Sequence, residues 1–301
     1  MNDGMPSRRE FSKSRFWALV IGSALVCTAT GLRGQTSGPN PFFALCMDTH
    51  DARKRTLPEQ AQMLRELKYD GVGHLWLDNL AERLRTADAE GLKVYQVYMN
   101  VNLDSGKEPY DPRLKEVVPL LKGRGTQLAV LIKGAPPSDQ SFDADAIRIL
   151  REISGIAQPA GVRVVLYPHY KFWLERVEDG IRLAGKMRPA DVGIMFNLCH
   201  WLAVDDEKNL RPLLEKAKPY LAAISINGAD RAAEIHAKTG KWIQPLDSGS
   251  FDMYGFLKAV KDSGFTGPVG LQCYGIPGDA REHLARSMAA WRKLNADLNR
   301  E

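Results

Sequence analysis

The sequence predicts an α/β protein with a single (β/α)8 TIM barrel, and three observations carry that prediction. From residue 42 onward, short runs rich in β-branched and aromatic residues alternate with longer amphipathic runs. Eight such pairs fit into about 250 residues, which is the number and length typical of this barrel. No GxGxxG fingerprint follows any strand, which disfavours the alternative of a doubly wound open sheet.

The elements follow one another in strict order along the chain. Apolar residues recur at helical spacing in the longer runs, and Pro58 and Pro112 stand where a first helical turn favours proline. Strands are predicted over residues 42–48, 71–77, 92–100, 126–133, 162–169, 191–197, 220–227 and 268–274. Helices are predicted at about 58–68, 79–90, 111–122, 143–158, 173–187, 208–218, 251–263 and 279–297.

The first 34 residues are typical of an export signal and not of a folded element. Ser7-Arg8-Arg9-Glu10-Phe11-Ser12-Lys13 resembles the twin-arginine signal, and the mildly apolar stretch over residues 16–32 follows it. We therefore predict a signal over 1–34, a linker over 35–41 and one barrel domain over 42–301. The expected location is periplasmic or exported, with no membrane span after cleavage. The alternatives are a retained anchor helix, or lipidation at Cys27.

The charge of the exported chain disfavours a polyanionic partner. Residues 1–34 hold five basic and two acidic side chains, so their removal lowers the net charge from +5 to +2. That field is too weak to attract nucleic acid. The remaining cysteines are Cys46, Cys199 and Cys273, an odd number inside apolar runs, which argues against a disulfide framework. The sequence leaves the oligomeric state open.

Polar side chains gather at the predicted strand ends. Because the active site of a (β/α)8 barrel lies at the C-terminal ends of its strands, these are the candidate functional residues. Four of the six histidines fall in this set. The set comprises Asp48, His50, His74, Trp76, Tyr98, Asn100, Lys133, Tyr167, His169, Asn197, His200, Ser225, Asn227, Gln272 and Tyr274.

From the fifth strand onward, the order of motifs resembles the sugar phosphate isomerase/epimerase family, also called xylose isomerase-like. That family has Glu-Asn-His at strand five, Asp-x-x-His after strand six, His-x-x-Asp after strand seven and a Glu at strand eight. The matching segments here are Tyr167-Pro168-His169, Asn197-Leu198-Cys199-His200, Asn227-Gly228-Ala229-Asp230 and Gln272. The family also has Pro-Leu-Gly-x-Gly-x-x-Asp before its seventh helix, which Pro245-Leu246-Asp247 and Asp252 match in part. The resemblance implies the barrel fold and sugar chemistry.

The resemblance also implies a divalent metal site, which these residues do not reproduce. The family holds its cation with Glu, Asp, His and Glu, and the matching residues are Tyr167, Asn197, Asn227 and Gln272. Hard cations prefer anionic oxygen ligands. We therefore predict no cofactor and no usual metal site. The open alternative is a shifted zinc site of His74, His169 and His200, since zinc accepts three histidines. Asp48, Asp230 or Asp252 could also supply a carboxylate, although Asp252 is better placed to cap a helix.

Taken with the resemblance, these residues predict a carbohydrate-active isomerase or epimerase that abstracts a proton beside a carbonyl. His169 and His200 are the candidate bases, while Tyr167 and Lys133 are the candidate proton donors. The substrate is expected to be a small neutral carbohydrate. Its candidate binding residues are His74, Trp76, Asn100, Asn197, Asn227, Gln272 and Trp201. The alternatives are a sugar lyase, or an inactive barrel that binds a carbohydrate or a protein partner; a metal-dependent endonuclease fits poorly.

Overall fold

The computed structural model describes residues 40–188 and 190–300, and these form a closed barrel of eight parallel strands in sequential order. The predicted fold class is confirmed. The signal over 1–34 and linker residues 35–39 lie outside the described residues. The strands are β1 (Phe42–Leu45), β2 (Gly71–Leu75), β3 (Lys93–Asn102), β4 (Gln127–Lys133), β5 (Val164–Leu166), β6 (Val192–Asn197), β7 (Leu221–Ile226) and β8 (Val269–Gln272).

Ten α-helices occur in the described part of the chain, two of them unforeseen by the sequence pattern. The helices are α1 (Leu57–Glu66), α2 (Leu80–Ala89), α3 (Leu114–Val117), α4 (Asp143–Ala157), α5 (Val177–Ala184), α6 (Leu198–Leu202), α7 (Leu210–Ala217), α8 (Ala232–His236), α9 (Met253–Asp262) and α10 (Ala280–Leu298). The short helices α6 and α8 follow β6 and β7 directly. The helix α6 carries His200.

Two predicted helices are shorter than the sequence suggested, and each has a local cause. The helix predicted over 111–122 is α-helical only to Val117 and continues as a 3-10 turn, because Pro119 has no amide hydrogen to donate. The helix predicted over 173–187 begins only at Val177. Trp173 lies before it, fully buried, with its indole N–H donating to the carbonyl of Asp139 at 2.8 Å.

Several helix starts match their sequence signals. Proline occupies the first turn of α1, and the side chain of Glu59 accepts from the backbone of Thr56 at 2.8 Å. The predicted cap at Asp252 is confirmed, since its carboxylate accepts from the backbone N–H of Gly255 at 2.9 Å. Such caps satisfy donors that a helix end leaves unpaired.

The barrel interior is filled in layers, with a glutamine pair near the floor, an apolar middle and a polar mouth. Near the floor, Gln96 donates to Gln127 at 2.8 Å, and Gln127 donates to the carbonyl of Ala222 at 3.0 Å. The middle layer is a buried cluster that includes Phe43, Leu45, Tyr98, Ala129, Leu131, Val165, Met195 and Ala223. A second, larger apolar cluster fills the space between strands and helices. The interior is therefore a packed core that leaves the strand ends for chemistry.

The start of the barrel is fixed by the residues just before β1. The side-chain amide of Asn40 donates to the carbonyls of Phe265 and Gly267, at 3.2 and 2.8 Å. The carbonyl of Pro41 accepts from Val269 at 2.8 Å. Residues 40 and 41, which the sequence assigned to the linker, thus already belong to the barrel. Among the described residues, no helix has both the length and the apolar character needed to cross a membrane.

Candidate active site at the barrel mouth

Four strands of the barrel place neutral polar side chains together at its mouth. Along each strand the side chains alternate between the barrel interior and the helix layer. Tyr167 directly after β5, Asn197 at the end of β6, Ser225 on β7 and Gln272 at the end of β8 are all buried inside. Tyr167, Asn197 and Gln272 are three of the four positions where the sequence frame puts the family's metal ligands, and Asn227 is the fourth.

These side chains form hydrogen-bonded pairs. The amide of Gln272 donates to the phenol oxygen of Tyr167 at 3.1 Å, which joins β8 to the end of β5 across the mouth. The hydroxyl of Ser225 donates to Oδ1 of Asn197 at 2.7 Å, and the amide nitrogen of Asn197 donates to the carbonyl of Pro168 at 2.9 Å. We call Tyr167, Asn197, Ser225 and Gln272 the neutral network. Each of its members has a partner, so the network is held rigid without any charge.

Asn227 adds an acceptor beside the neutral network. Its amide nitrogen donates to the carbonyls of Gly228 and Trp242, both at 2.8 Å. Its Oδ1 is buried and has no hydrogen-bond partner in the described part of the chain. A buried polar atom left unpaired is costly, and such an atom in a site is ready for a ligand donor.

His169 and His200 form a closely packed pair of tilted rings beside the neutral network. Their ring centroids are 4.0 Å apart, and the ring of His200 meets Tyr167 edge-on at 5.8 Å. Nδ1 of His169 lies 2.8 Å from the carbonyl of Tyr170. Because a carbonyl only accepts, Nδ1 must carry the proton, which leaves Nε2 of His169 as a proton acceptor. Nδ1 of His200 is buried and has no partner among the described residues.

Burial keeps the ionisable groups of the mouth neutral. It lowers the pKa of His169, and it lowers the pKa of His200 well below its ordinary value, with the neighbouring His169 adding to the effect. Burial raises the pKa of the Tyr167 phenol well above its ordinary value. It also raises the pKa of Cys199 to about 12. Near neutral pH the mouth therefore offers unprotonated imidazoles beside a protonated phenol.

Two aromatic residues that were not predicted from the sequence, Tyr170 and Phe172, lie near the histidine pair. Phe172 packs on His169 with a centroid distance of 4.1 Å, and Tyr170 meets Trp242 edge-on at 5.6 Å. Trp242 in turn lies 6.0 Å from His200. Their closeness in sequence to His169 was the available signal, since a loop after a barrel strand lines the mouth.

His74 lies outside the mouth, so the suggested zinc site of three histidines is not assembled. Its Nε2 donates to the carbonyl of Asp78 at 2.7 Å, and its Nδ1 accepts from Nε of Arg83 at 3.3 Å. The partner Arg83 also donates to Gln60, which places His74 in the layer between β2 and the helices. Within residues 40–188 and 190–300, no group of three His, Cys, Asp or Glu side chains is arranged to hold a metal ion.

Trp201 also lies away from the mouth. Its ring packs on Phe196 at 5.4 Å, and its indole N–H donates to Asp205 at 3.0 Å. Only 3% of the residue is exposed. The structure thus places Trp201 in the outer apolar layer, where it holds α6 against the barrel.

The other three candidate residues come together in a separate cleft. Trp76, Asn100 and Lys133 line a cavity of about 460 Å³ formed by the loop after β2, the end of β3 and the end of β4. His169 and His200 do not line it. Apart from His74 and Trp201, the candidate residues therefore fall into two groups. One lines this second cleft. The other, on the side of β5 to β8, we call the histidine cup, and it comprises Tyr167, His169, Asn197, His200, Asn227 and Gln272.

A parallel (β/α)8 barrel with a polar cup at the C-terminal strand ends belongs to the class of barrel proteins that act on or bind small molecules. The particular family follows from its sequence. The family model described as xylose isomerase-like TIM barrel matches residues 43–294, and the chain belongs to that family. Among curated proteins, none matches the chain.

Solved structures share the fold at low sequence identity. A xylose isomerase-like TIM barrel protein from Mycobacterium smegmatis in complex with magnesium is 16% identical, with a TM-score of 0.62 over 86% of this chain and 97% of that one. The 3-keto-D-glucoside 4-epimerase of E. coli is 15% identical, with a TM-score of 0.67 over 84% and 99%. The probable 3-DHS dehydratase of Bacillus anthracis is 13% identical, with a TM-score of 0.65 over 83% and 98%.

We predict that the buried His200 makes stability depend on pH. Its folded pKa is depressed, so below its ordinary value of 6.5 the unfolded chain binds a proton that the folded chain does not. The free energy of unfolding therefore falls as pH drops below about 6.5, by up to about 1.4 kcal/mol per pH unit for this group. Urea titrations of the wild type and H200Q at pH 7.5 and pH 5.5 measure it.

The substitution H200Q should reduce that pH dependence. His236 is exposed on α8 and is the matched control position, so H236Q should keep the wild-type slope. Equal slopes for the wild type, H200Q and H236Q would contradict a neutral, buried His200.

Proposed function

We propose that the protein is a sugar isomerase- or epimerase-like enzyme that abstracts a proton beside a carbonyl, without the divalent cation used by related barrels. The observation that carries this proposal is the closely packed, neutral pair of His169 and His200 beside the neutral network. Membership of the xylose isomerase-like family and the similarity in fold to a 3-keto-D-glucoside 4-epimerase support a sugar or sugar derivative as substrate.

His169 is the better placed of the two bases. Its ring is half-buried, and Nε2 is its free acceptor because Nδ1 donates to the carbonyl of Tyr170. An imidazole whose pKa is lowered by burial is unprotonated near neutral pH and can accept a C–H proton. His200, which is more deeply buried, packs on His169 and supports its neutral state, since two adjacent imidazolium charges would repel.

Tyr167 acts as the hydrogen-bond and proton donor to the carbonyl oxygen of the substrate. When a base removes the proton next to a carbonyl, negative charge develops on the carbonyl oxygen, and a nearby donor stabilises it. The raised pKa of Tyr167 keeps its phenol protonated, so it can donate to that oxygen. Asn227 would orient a substrate hydroxyl through Oδ1, which is an unused acceptor. Asn197 and Gln272 hold the neutral network in place through their existing hydrogen bonds.

The donor chemistry at the mouth does not fit a hard divalent cation. Tyr167, Asn197, Asn227 and Gln272 are all neutral, whereas Mg²⁺ and Mn²⁺ prefer anionic oxygens. Oδ1 of Asn197 already accepts from Ser225, and Oε1 of Gln272 accepts from the backbone N–H of Tyr274 at 3.0 Å. We therefore assign the charge stabilisation to hydrogen bonds. Lys133 lies in the second cleft, and we assign it a binding role.

A lyase is the second candidate, favoured by the similarity in fold to a probable dehydratase. Both reactions begin with removal of a proton beside a carbonyl; the lyase then expels a hydroxyl from the neighbouring carbon. Product analysis separates the two, because elimination releases water and leaves a double bond. Binding of a sugar without any turnover would instead favour an inactive barrel.

We predict that H169A lowers turnover by about 100- to 10,000-fold, because it removes a general base. The measurement is proton NMR in D2O, which follows deuterium uptake next to the carbonyl in a panel of ketohexoses and 3-keto-glucosides. H236A, on the exposed face of α8, is the matched control and should keep wild-type exchange. Unchanged exchange in H169A, or exchange abolished by EDTA in the wild type, would contradict the mechanism.

We also propose that the protein leaves the cytoplasm by the twin-arginine route, acting on an extracytoplasmic sugar. The support is the motif around Arg8 and Arg9 and the apolar stretch that follows it. A neutral carbohydrate suits that location, since phosphorylated metabolites are mainly cytoplasmic.

Replacing both arginines by lysine keeps the charge and should block export, because the route reads the arginine pair. Cell fractionation of R8K/R9K should find the unprocessed chain in the cytoplasm, while the control R15K, outside the pair, is exported like the wild type. Equal export of the two variants would rule out the twin-arginine route.

A further inference from the structure

We propose that the cleft beside Trp76 binds a second sugar ring, so that the substrate is a glycoside or disaccharide and not a free monosaccharide. This inference rests on the proposed function, because it takes the histidine cup to hold the reacting ring. The cleft has a volume of about 460 Å³, within the range of small-molecule sites. It is bounded by Trp76, Asn100, Asn102, Glu108, Asp111 and Lys133.

Trp76 presents an aromatic face to this cleft. The residue is 40% exposed, although tryptophan is usually far more buried. Its φ angle of 64° lies in the left-handed region, where a bulky side chain is strained. Backbone strain of this kind clusters at binding and catalytic sites. An exposed indole held this way can stack on the apolar face of a sugar ring.

An ion-pair bridge fixes the wall of the cleft. Arg113 donates to Asp78 at 2.7 Å and to Asp111 at 2.6 Å, which ties the loop after β2 to the loop after β3. The loop after β3 is closed further by the backbone N–H of Asn102, which donates to the carbonyl of Pro109 at 2.8 Å. The position of Trp76 is thus set before any ligand arrives, which lowers the entropic cost of binding.

The charges around the cleft favour a neutral ligand rich in hydroxyl groups. Arg113 offsets one of the two negative charges of Asp78 and Asp111, and the remaining charged lining residues, Lys133 and Glu108, have opposite signs, so only a single negative charge is left over. No strong field of one sign is left to select an anion or a cation. The amides of Asn100 and Asn102 add both donors and acceptors, as hydroxyl groups require.

The cleft and the histidine cup lie at the same end of the barrel, because the cleft is lined from the ends of β3 and β4 and the cup from the ends of β5 to β8. Asn100 follows the inward-facing Tyr98 by two residues on β3, so both point into the barrel. The ring of Tyr98 meets that of Tyr167 edge-on at 5.6 Å, and Tyr167 contacts His200. A ligand of two linked rings can therefore place one ring at the histidines and the other on Trp76.

The test compares binding of D-glucose with that of cellobiose, maltose and trehalose by isothermal titration calorimetry. In the wild type at least one disaccharide should bind about tenfold more tightly than glucose. W76A should remove that advantage and bring the disaccharides close to glucose in affinity, while W76Y, which keeps an aromatic face, should retain most of the advantage. L120A removes another exposed large apolar side chain and should behave like the wild type.

The outcomes separate this inference from the proposed function. Equal affinity for glucose and every disaccharide, or a W76A variant in which all four sugars weaken together, would overturn the second subsite and leave the histidine cup standing. Failure of the wild type to bind any of these sugars would also overturn the second subsite, whereas deuterium exchange into the keto sugars tests the histidine cup separately. H169A should weaken glucose and disaccharides alike, because it alters the cup that holds the shared ring.

Discussion

The hydrogen bond between Gln272 and Tyr167 is the contact on which the arrangement of the mouth depends. It joins the end of β8 to the end of β5. Ser225 and Asn197 form the second pair of the neutral network, which joins β7 to β6. Buried polar groups are tolerated only when they are paired, and these four are paired with one another. Under the proposed function, neutral donors and acceptors take the place of the cation and carboxylates that the resemblance implies for the family.

The absence of charge at the mouth determines the protonation states around it. With no carboxylate among the paired residues of the neutral network, nothing nearby offsets the cost of a buried imidazolium, so burial lowers the pKa of both His169 and His200. The same burial raises the pKa of Tyr167 and so keeps its phenol protonated. Unprotonated imidazoles and a protonated phenol are thus present together near neutral pH, as the proposed proton transfer beside a carbonyl requires.

The fold was predictable from sequence because the alternation of strand and helix patterns repeats around the whole barrel. The placement of single side chains was harder. His74 lies one residue before the inward position of Leu75, so strand alternation turns it outward. Trp201 follows His200 on α6, and a helix rotates successive side chains by about 100°, which sends it into the outer layer. The pairing of Tyr167 with Gln272, 105 residues apart, depends on barrel closure and has no local signal.

Metal analysis of the purified protein tests most directly whether the neutral network at the mouth functions without a divalent cation. Inductively coupled plasma mass spectrometry after exposure to Mn²⁺, Mg²⁺ and Zn²⁺ and gel filtration should find far less than one ion per chain in the wild type. The variant N197D/Q272E restores two carboxylates and should retain more Mn²⁺. One tightly held ion per wild-type chain, lost on replacement of Asn197 and Gln272 by alanine, would contradict a neutral network that functions without a cation.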